Sequence, residues 1–160
     1  MKKFIRYVSD FLMFFFTFAF IAVVALYVFF RFCIEEHYVY DAEILADNIY
    51  FEARGSSIED QIAVGLTVLN RVHSNKYPNT VAEVVFQPYQ YSWTAEFRKP
   101  AENKTYKKIK ALSTWIIENY EILKRDDVCM HYTNNDNYGP NHWTKKFKKK
   151  TKIGKHWFYC

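Results

Sequence analysis

The sequence predicts a mainly helical α+β domain with a small antiparallel sheet, preceded by one transmembrane helix. Three observations carry this. Phe11 to Phe30 is a run of 20 residues without a charge. Further on, apolar residues recur every three and four positions behind hydroxyl-bearing caps, the mark of amphipathic helices. Near the C-terminus, Val128 to Tyr132 and Ile153 to Tyr159 look like strands, joined through a polar loop from Thr133 to Trp143.

The N-terminal run is long enough to cross a hydrocarbon core of about 30 Å as one helix. It is apolar all round rather than striped, which argues against a buried core helix. Lys2, Lys3 and Arg6 precede it against Asp10, whereas Glu35, Glu36, Asp41 and Glu43 follow it against Arg31. The positive-inside rule then gives a single-pass membrane protein, N-terminus cytoplasmic and the rest outside. The rival is a cleaved signal peptide. The stretch exceeds the usual ~7–15 apolar residues, and no small-x-small site follows it closely. The domain organisation read from this is a cytoplasmic stub and transmembrane anchor over 1–34, with residues 11–30 in the bilayer, and one globular domain over 35–160.

The formal charge is +5, and residues 1–31 contribute +3 of it, leaving +2 for the outer domain. That charge is uneven. Residues 35–64 carry eight acidic side chains and one Arg, while residues 145–155 carry seven lysines and no acid. Such a block suits an anionic polymer, and it equally suits a solvated loop with no partner. Nucleic acid is disfavoured, because the orientation puts this face outside the cytoplasm. The three cysteines form no C-x-x-C pair and no zinc spacing. Free buried thiols are the expected state. In an oxidising compartment Cys129 and Cys160, in the two strand segments, could instead pair.

Leu45, Asn48, Ile49 and Glu52 share one face of a short helix, with Asp41 as N-cap, Tyr40 and Leu45 in staple register, and Gly55 as the C′ residue. Glu52 therefore faces inward at a helix end, where burial, the helix dipole and neighbouring carboxylates all raise its pKa. Arg54 opposes this if its side chain folds back. A carboxylic acid kept partly neutral is what a general acid needs; an ordinary surface Glu is the plain alternative. Ser57-x-x-Asp60, or Ser56-x-x-Glu59, then caps a second helix with the stripe Ile58, Ile62, Leu66, Leu69 and Val72. Gly65 within it costs up to ~1 kcal/mol against Ala, which points to close approach of another helix or a substrate. Thr80-x-x-Glu83 opens a short helix ending before Pro88, and a longer one runs from Lys104 to Leu123 with Ile109, Leu112, Ile116, Tyr120 and Leu123 on one side.

The ordered blocks NIYFEARGSSIEDQIAVGLTVLNRV (Asn48 to Val72), YPNT, QYSWT, His131-Tyr132, Trp143 and IGKHWFY closely resemble the SleB/CwlJ-type cell wall hydrolase family, whose members include spore cortex-lytic enzymes. The resemblance runs from about Ala42 to Tyr159, and its first block is the most specific. It implies a lysozyme-like fold, peptidoglycan glycan strands as substrate and, for several members, lytic transglycosylase activity. The motif's catalytic acid falls on Glu52. Many members carry Glu directly after the Gly, where this chain has Ser56, so any part of a second carboxylate there is absent.

Aromatic residues make up 20% of the chain. Rings stack on pyranose faces, yet most aromatics in a small domain fill its core. With the resemblance, the expected substrate-binding set is Tyr50, Arg54, Tyr91, Ser92, Trp93, His131, Tyr132 and Trp143. Asn70 and Arg71 are expected to bond the loops around Glu52. Paired-carboxylate glycosidases need a second acid; Glu59, Asp60, Glu83 and Glu96 are the candidates, and capping already accounts for Glu59, Asp60 and Glu83. A lytic transglycosylase needs only Glu52, first as acid to the bridging oxygen and then as base to the muramoyl C6 hydroxyl, with no cofactor and no metal. A non-catalytic wall-binding or assembly protein and a water-using muramidase are the other readings, in a bacterium or a phage.

Overall fold

The computed structural model describes residues 2–96, 98–135 and 142–160. The chain divides into a first unit ending at Tyr38 and a second from Val39 to Cys160. Helix α1 runs Lys2–Ala53. Within the first unit its large apolar side chains are exposed on every side, and the helix is long and apolar enough to cross a membrane.

The predicted start at Asp41 is not there; Asp41 lies inside α1. From Arg31 to Ala53 the chain has no Gly or Pro. A capping side chain starts a helix only where the backbone arrives non-helical. Nor does Gly55 take the left-handed C′ conformation, since Gly154 is the one described glycine at positive φ. Instead, Ser56 N–H bonds the Ala53 carbonyl and Lys155 Nζ donates to the Gly55 carbonyl at 2.8 Å. These contacts satisfy carbonyls at and just beyond the helix end.

Helix α2 (Ile58–Val72) starts at Ser57, whose Oγ accepts from Asp60 N–H at 3.3 Å. It is the central element, touching α3 (Val81–Val85), α5 (Lys104–Glu118), α6 (Tyr120–Leu123) and the sheet. Its middle, from Ala63 to Leu69, is therefore buried all round rather than along one stripe, and the predicted stripe residue Ile58 is exposed. Gly65 is the point of closest approach: an added Cβ would sit 3.1 Å from Ile116 of α5 and 3.2 Å from Ile49 of α1. The neighbour anticipated from sequence is thus a pair of helices.

Thr80 caps α3 with its hydroxyl, which accepts from Glu83 N–H and donates to the Glu83 carboxylate. A single turn, α4 (Ser92–Ala95), follows. The long helix predicted to reach Leu123 breaks at Asn119, whose side chain bonds the Trp115 carbonyl at 2.8 Å. The chain then re-aims as α6, so that Tyr120 reaches Asn70 on α2.

The sheet has three antiparallel strands in the order β1 (His131–Thr133), β3 (His156–Tyr159), β2 (Lys150–Ile153). Tyr132 pairs with Phe158 and Thr151 with the same residue from the other side. The predicted strand from Val128 starts later. Carbonyls at Val128, Cys129 and Met130 are instead taken by Asn70 and Arg71. The predicted strand from Ile153 is a hairpin turning at Gly154, and β2 uses part of the lysine block. Residues 136–141 of the expected polar loop lie outside the described residues. The free thiols expected at Cys129 and Cys160 are corrected: the two are joined in a disulfide, with Cα atoms 5.3 Å apart. The pairing of β1 with β3 brings their ends into bridging range.

Candidate active site

Glu52 is the penultimate residue of α1. Leu45, Asn48 and Ile49, on the same face, are fully buried, so the row carries the Glu52 side chain inward. It lines a cavity of about 390 Å³ together with Phe51, Arg71, Gln90, Tyr91, Ser92, Tyr132, Thr133, Asn134 and His156. Burial raises the Glu52 pKa, against the opposing pull of the Tyr132 hydrogen bond and of His156. The Tyr132 hydroxyl donates to Glu52 Oε2 at 3.3 Å. Burial first, then the nearby Tyr91 and Glu52, keeps that phenol protonated far past its ordinary range. Such a site can hold a carboxylic acid and deliver its proton into a polar pocket.

Arg71 is buried. Its Nε donates to the Met130 carbonyl at 2.8 Å, and one terminal nitrogen reaches Gln90 at 3.0 Å and the Tyr91 hydroxyl at 3.3 Å. It fixes one cavity wall to the segment entering β1. Asn70 does the same one position earlier, with Val128 and Cys129. A second cleft of about 480 Å³ shares Arg71, Gln90 and Tyr132 with the first and adds rings from Tyr77, Tyr89, His131, Trp143 and Phe147.

Of the residues predicted to bind substrate, Tyr91, Ser92 and Tyr132 line the Glu52 cavity, and His131 and Trp143 line the adjoining cleft. The structure places the other three elsewhere. Trp93 is buried in the core, stacked on Phe51 at 5.0 Å with its indole N–H on Asn48. Tyr50 is buried edge-on against Tyr106. Arg54 folds back over the Tyr50 ring, 4.8 Å from its centroid, and bonds the Tyr50 carbonyl rather than Glu52.

His156, which lines the cavity, escaped the sequence reading, and so did the contact made with it from behind by Asp60, read there as a cap. Asp60 is fully buried, and its carboxylate accepts from His156 Nδ1 at 2.8 Å and from Lys155 N–H at 2.9 Å. Burial works to raise the Asp60 pKa, yet the hydrogen bonds from His156 and Lys155 outweigh it and hold it low. A capping position accounts for Asp60 locally and hides this role. The available signal was Gly154 two residues before His156, since a tight turn fixes the direction of the strand after it.

Fold and site together define a small helical domain in which one half-buried carboxyl group, Glu52, lines a polar cavity that adjoins a cleft of aromatic rings. The chain belongs to the cell wall hydrolase family, whose profile matches residues 55–159, beginning just after Glu52. It is 30% identical over 121 residues to the spore cortex-lytic enzyme of Bacillus subtilis strain 168, covering 74% of this chain and 37% of that protein. The Bacillus cereus spore cortex-lytic enzyme matches at the same identity, with 43% of its length covered. The chain therefore spans about two fifths of these relatives. Two solved structures share the architecture at 30% identity over 75% of this chain. The catalytic domain of Bacillus cereus SleB superposes with a TM-score of 0.58 over 89% of its length. The catalytic domain of the germination-specific lytic transglycosylase SleB of Bacillus anthracis gives 0.59 over 93%.

Proposed function

We propose that this chain is a membrane-anchored peptidoglycan-cleaving enzyme, a lytic transglycosylase cutting the bond between N-acetylmuramic acid and N-acetylglucosamine with Glu52 as its acid. One observation carries the chemistry: Glu52 is the one carboxylate among the described residues lining its cavity, and burial there favours its protonated form. Glycosidases that work through two carboxylates keep the second within about 5–9.5 Å, on the same cleft. Transglycosylation dispenses with it. Glu52 protonates the bridging O4, and the muramoyl C6 hydroxyl closes onto C1 as a 1,6-anhydro ring. In the simplest scheme the ionised Glu52 also takes the C6 hydroxyl proton. Tyr91, Ser92, Tyr132, His131 and Trp143 form the walls against which sugar rings and N-acetyl groups are held. The similarity to a lytic transglycosylase domain supports the same reading.

The anchor is residues 11–30, with Lys2, Lys3 and Arg6 in the cytoplasm and the domain outside. The all-round exposure of that helix suits lipid, and the disulfide suits an oxidising compartment. Lys145 to Lys155 provides a second, electrostatic attachment to anionic wall polymer. Incubating the full chain in detergent with purified sacculi and analysing the products by mass spectrometry tests the reading, since transglycosylation alone leaves 1,6-anhydro ends. Recovery of a shortened, soluble chain from cells would instead make the N-terminal segment a cleaved signal.

A further inference from the structure

We propose that His156, held by Asp60, is the base of the reaction: its Nε2 takes the proton of the attacking hydroxyl while Glu52 protonates the leaving oxygen. This rests on the reading of Glu52 as the acid and relieves it of acting as both acid and base.

The geometry is built rather than incidental. Asp60 is wholly inside the protein and meets His156 Nδ1 at 2.8 Å and the Lys155 N–H at 2.9 Å. The β2–β3 turn is shaped to allow this. Gly154 sits at φ +55, and a Cβ there would come within 2.7 Å of the Asp60 side chain. Only glycine tolerates both conditions. A neutral imidazole whose Nδ1–H donates a hydrogen bond to a carboxylate carries its lone pair on Nε2. Among the described residues Nε2 makes no hydrogen bond, and His156 lines the same cavity as Glu52. Its ring stands edge-on to Tyr132, 5.2 Å between centroids, and Tyr132 in turn donates to Glu52. The titratable groups around it are Asp60 from α2, Glu52 from α1 and Tyr132 from β1, with Tyr91 and Arg71 on the same cavity.

The protons balance. As the C1–O4 bond breaks, O4 takes the Glu52 proton. As the O6–C1 bond forms, the O6 proton moves to His156 Nε2, and Asp60 stabilises the imidazolium. The imidazolium then returns its proton to the Glu52 carboxylate, and both groups regain their starting states. Nothing else is consumed.

Nitrogen NMR on the full chain in detergent, labelled with ¹⁵N-histidine, reads the tautomer in the unaltered protein. The expected result is a neutral His156 protonated on Nδ1; a ring protonated on Nε2 cannot accept a proton and overturns the proposal. His156→Gln is then assayed on sacculi across pH beside the wild type. A fall of at least ~10² together with loss of one limb of the pH profile supports a base. A near wild-type rate, or a fall that leaves the profile's shape intact, overturns it. If His156→Gln fails to fold, the tautomer measurement still decides. Failure of the underlying reading is seen separately, as retained activity in Glu52→Gln.

Discussion

The Tyr132 hydroxyl and Glu52 Oε2, 80 residues apart in sequence, meet at 3.3 Å across the wall of the cavity. This bond favours the ionised carboxylate, while burial, the larger influence, favours the neutral acid. Tyr132→Phe keeps the ring against Phe158 and removes only the donor. Glu52 then holds its proton to higher pH, so the alkaline limb of the activity profile should move upward. A profile unchanged or shifted to lower pH would show that Tyr132 does not set the Glu52 ionisation.

The same raised pKa makes Glu52 a burden on the fold at neutral pH. The folded state holds the proton more tightly than the unfolded chain, so stability falls as pH rises from the unfolded carboxylate value, about 4.3, through the folded one. Glu52→Gln should therefore melt at a higher temperature than wild type at pH 7. The difference should close below about pH 4, where both states are protonated. Thermal unfolding followed by circular dichroism at the two pH values checks it.

How much of this was legible in sequence depended on how local each cause is. Ser57 and Thr80 were readable as caps because their partners, Asp60 and Glu83, lie three residues on. The inward face of Leu45, Asn48, Ile49 and Glu52 was readable because helical periodicity is local. Gly65 announced a close approach, although not that Ile49 and Ile116 make it. The second role of Asp60 was hidden, since its partner His156 lies 96 residues away and a nearer explanation, capping, was at hand. Trp93 failed for a similar reason. Its stacking on Phe51 is a tertiary fact, and an aromatic reads alike whether it faces a cleft or a core. Cys129 and Cys160 needed the strand register before their pairing was visible.

Two glycines separate packing from backbone conformation. Gly65→Ala gains up to ~1 kcal/mol of helix propensity but presses a methyl against Ile116 and Ile49 at 3.1 and 3.2 Å. Overpacking costs about 1–3 kcal/mol, so the net loss should be small. Gly154→Ala must also hold an alanine in the left-handed region, at about 1–2 kcal/mol, and it collides with Asp60 at 2.7 Å. Denaturant titration should show Gly154→Ala to be the more damaging. Equal losses would mean that the hairpin shifts freely away from α2.

The disulfide closes a separation of 31 residues. Chain-entropy arguments assign such a loop about 3–4 kcal/mol. Cys129→Ser should lower the melting temperature by several degrees, and a reducing agent should have no further effect on it while destabilising the wild type. No change in the variant would show that the bridge adds nothing to the fold.

Lys150 and Lys152 lie over Trp157, 4.7 and 5.3 Å from its ring, on a sheet edge where lysines also discourage strand pairing. Replacing Lys148, Lys150 and Lys152 by Gln should weaken sacculus binding at low salt. The deficit should fade as ionic strength rises, with charges screened over roughly 10 Å at 0.1 M. Cleavage of short uncharged glycans should persist. Unaltered binding would leave these lysines a solvated edge.

The central claim, that Glu52 is the acid, is tested most directly by mass spectrometry of purified sacculi digested side by side by the full wild-type chain and by Glu52→Gln. Wild type should release 1,6-anhydro products, and the variant, folded and still binding, should release them at least ~10² more slowly, the low end for general acid catalysis. Comparable release of those products by Glu52→Gln would contradict the account.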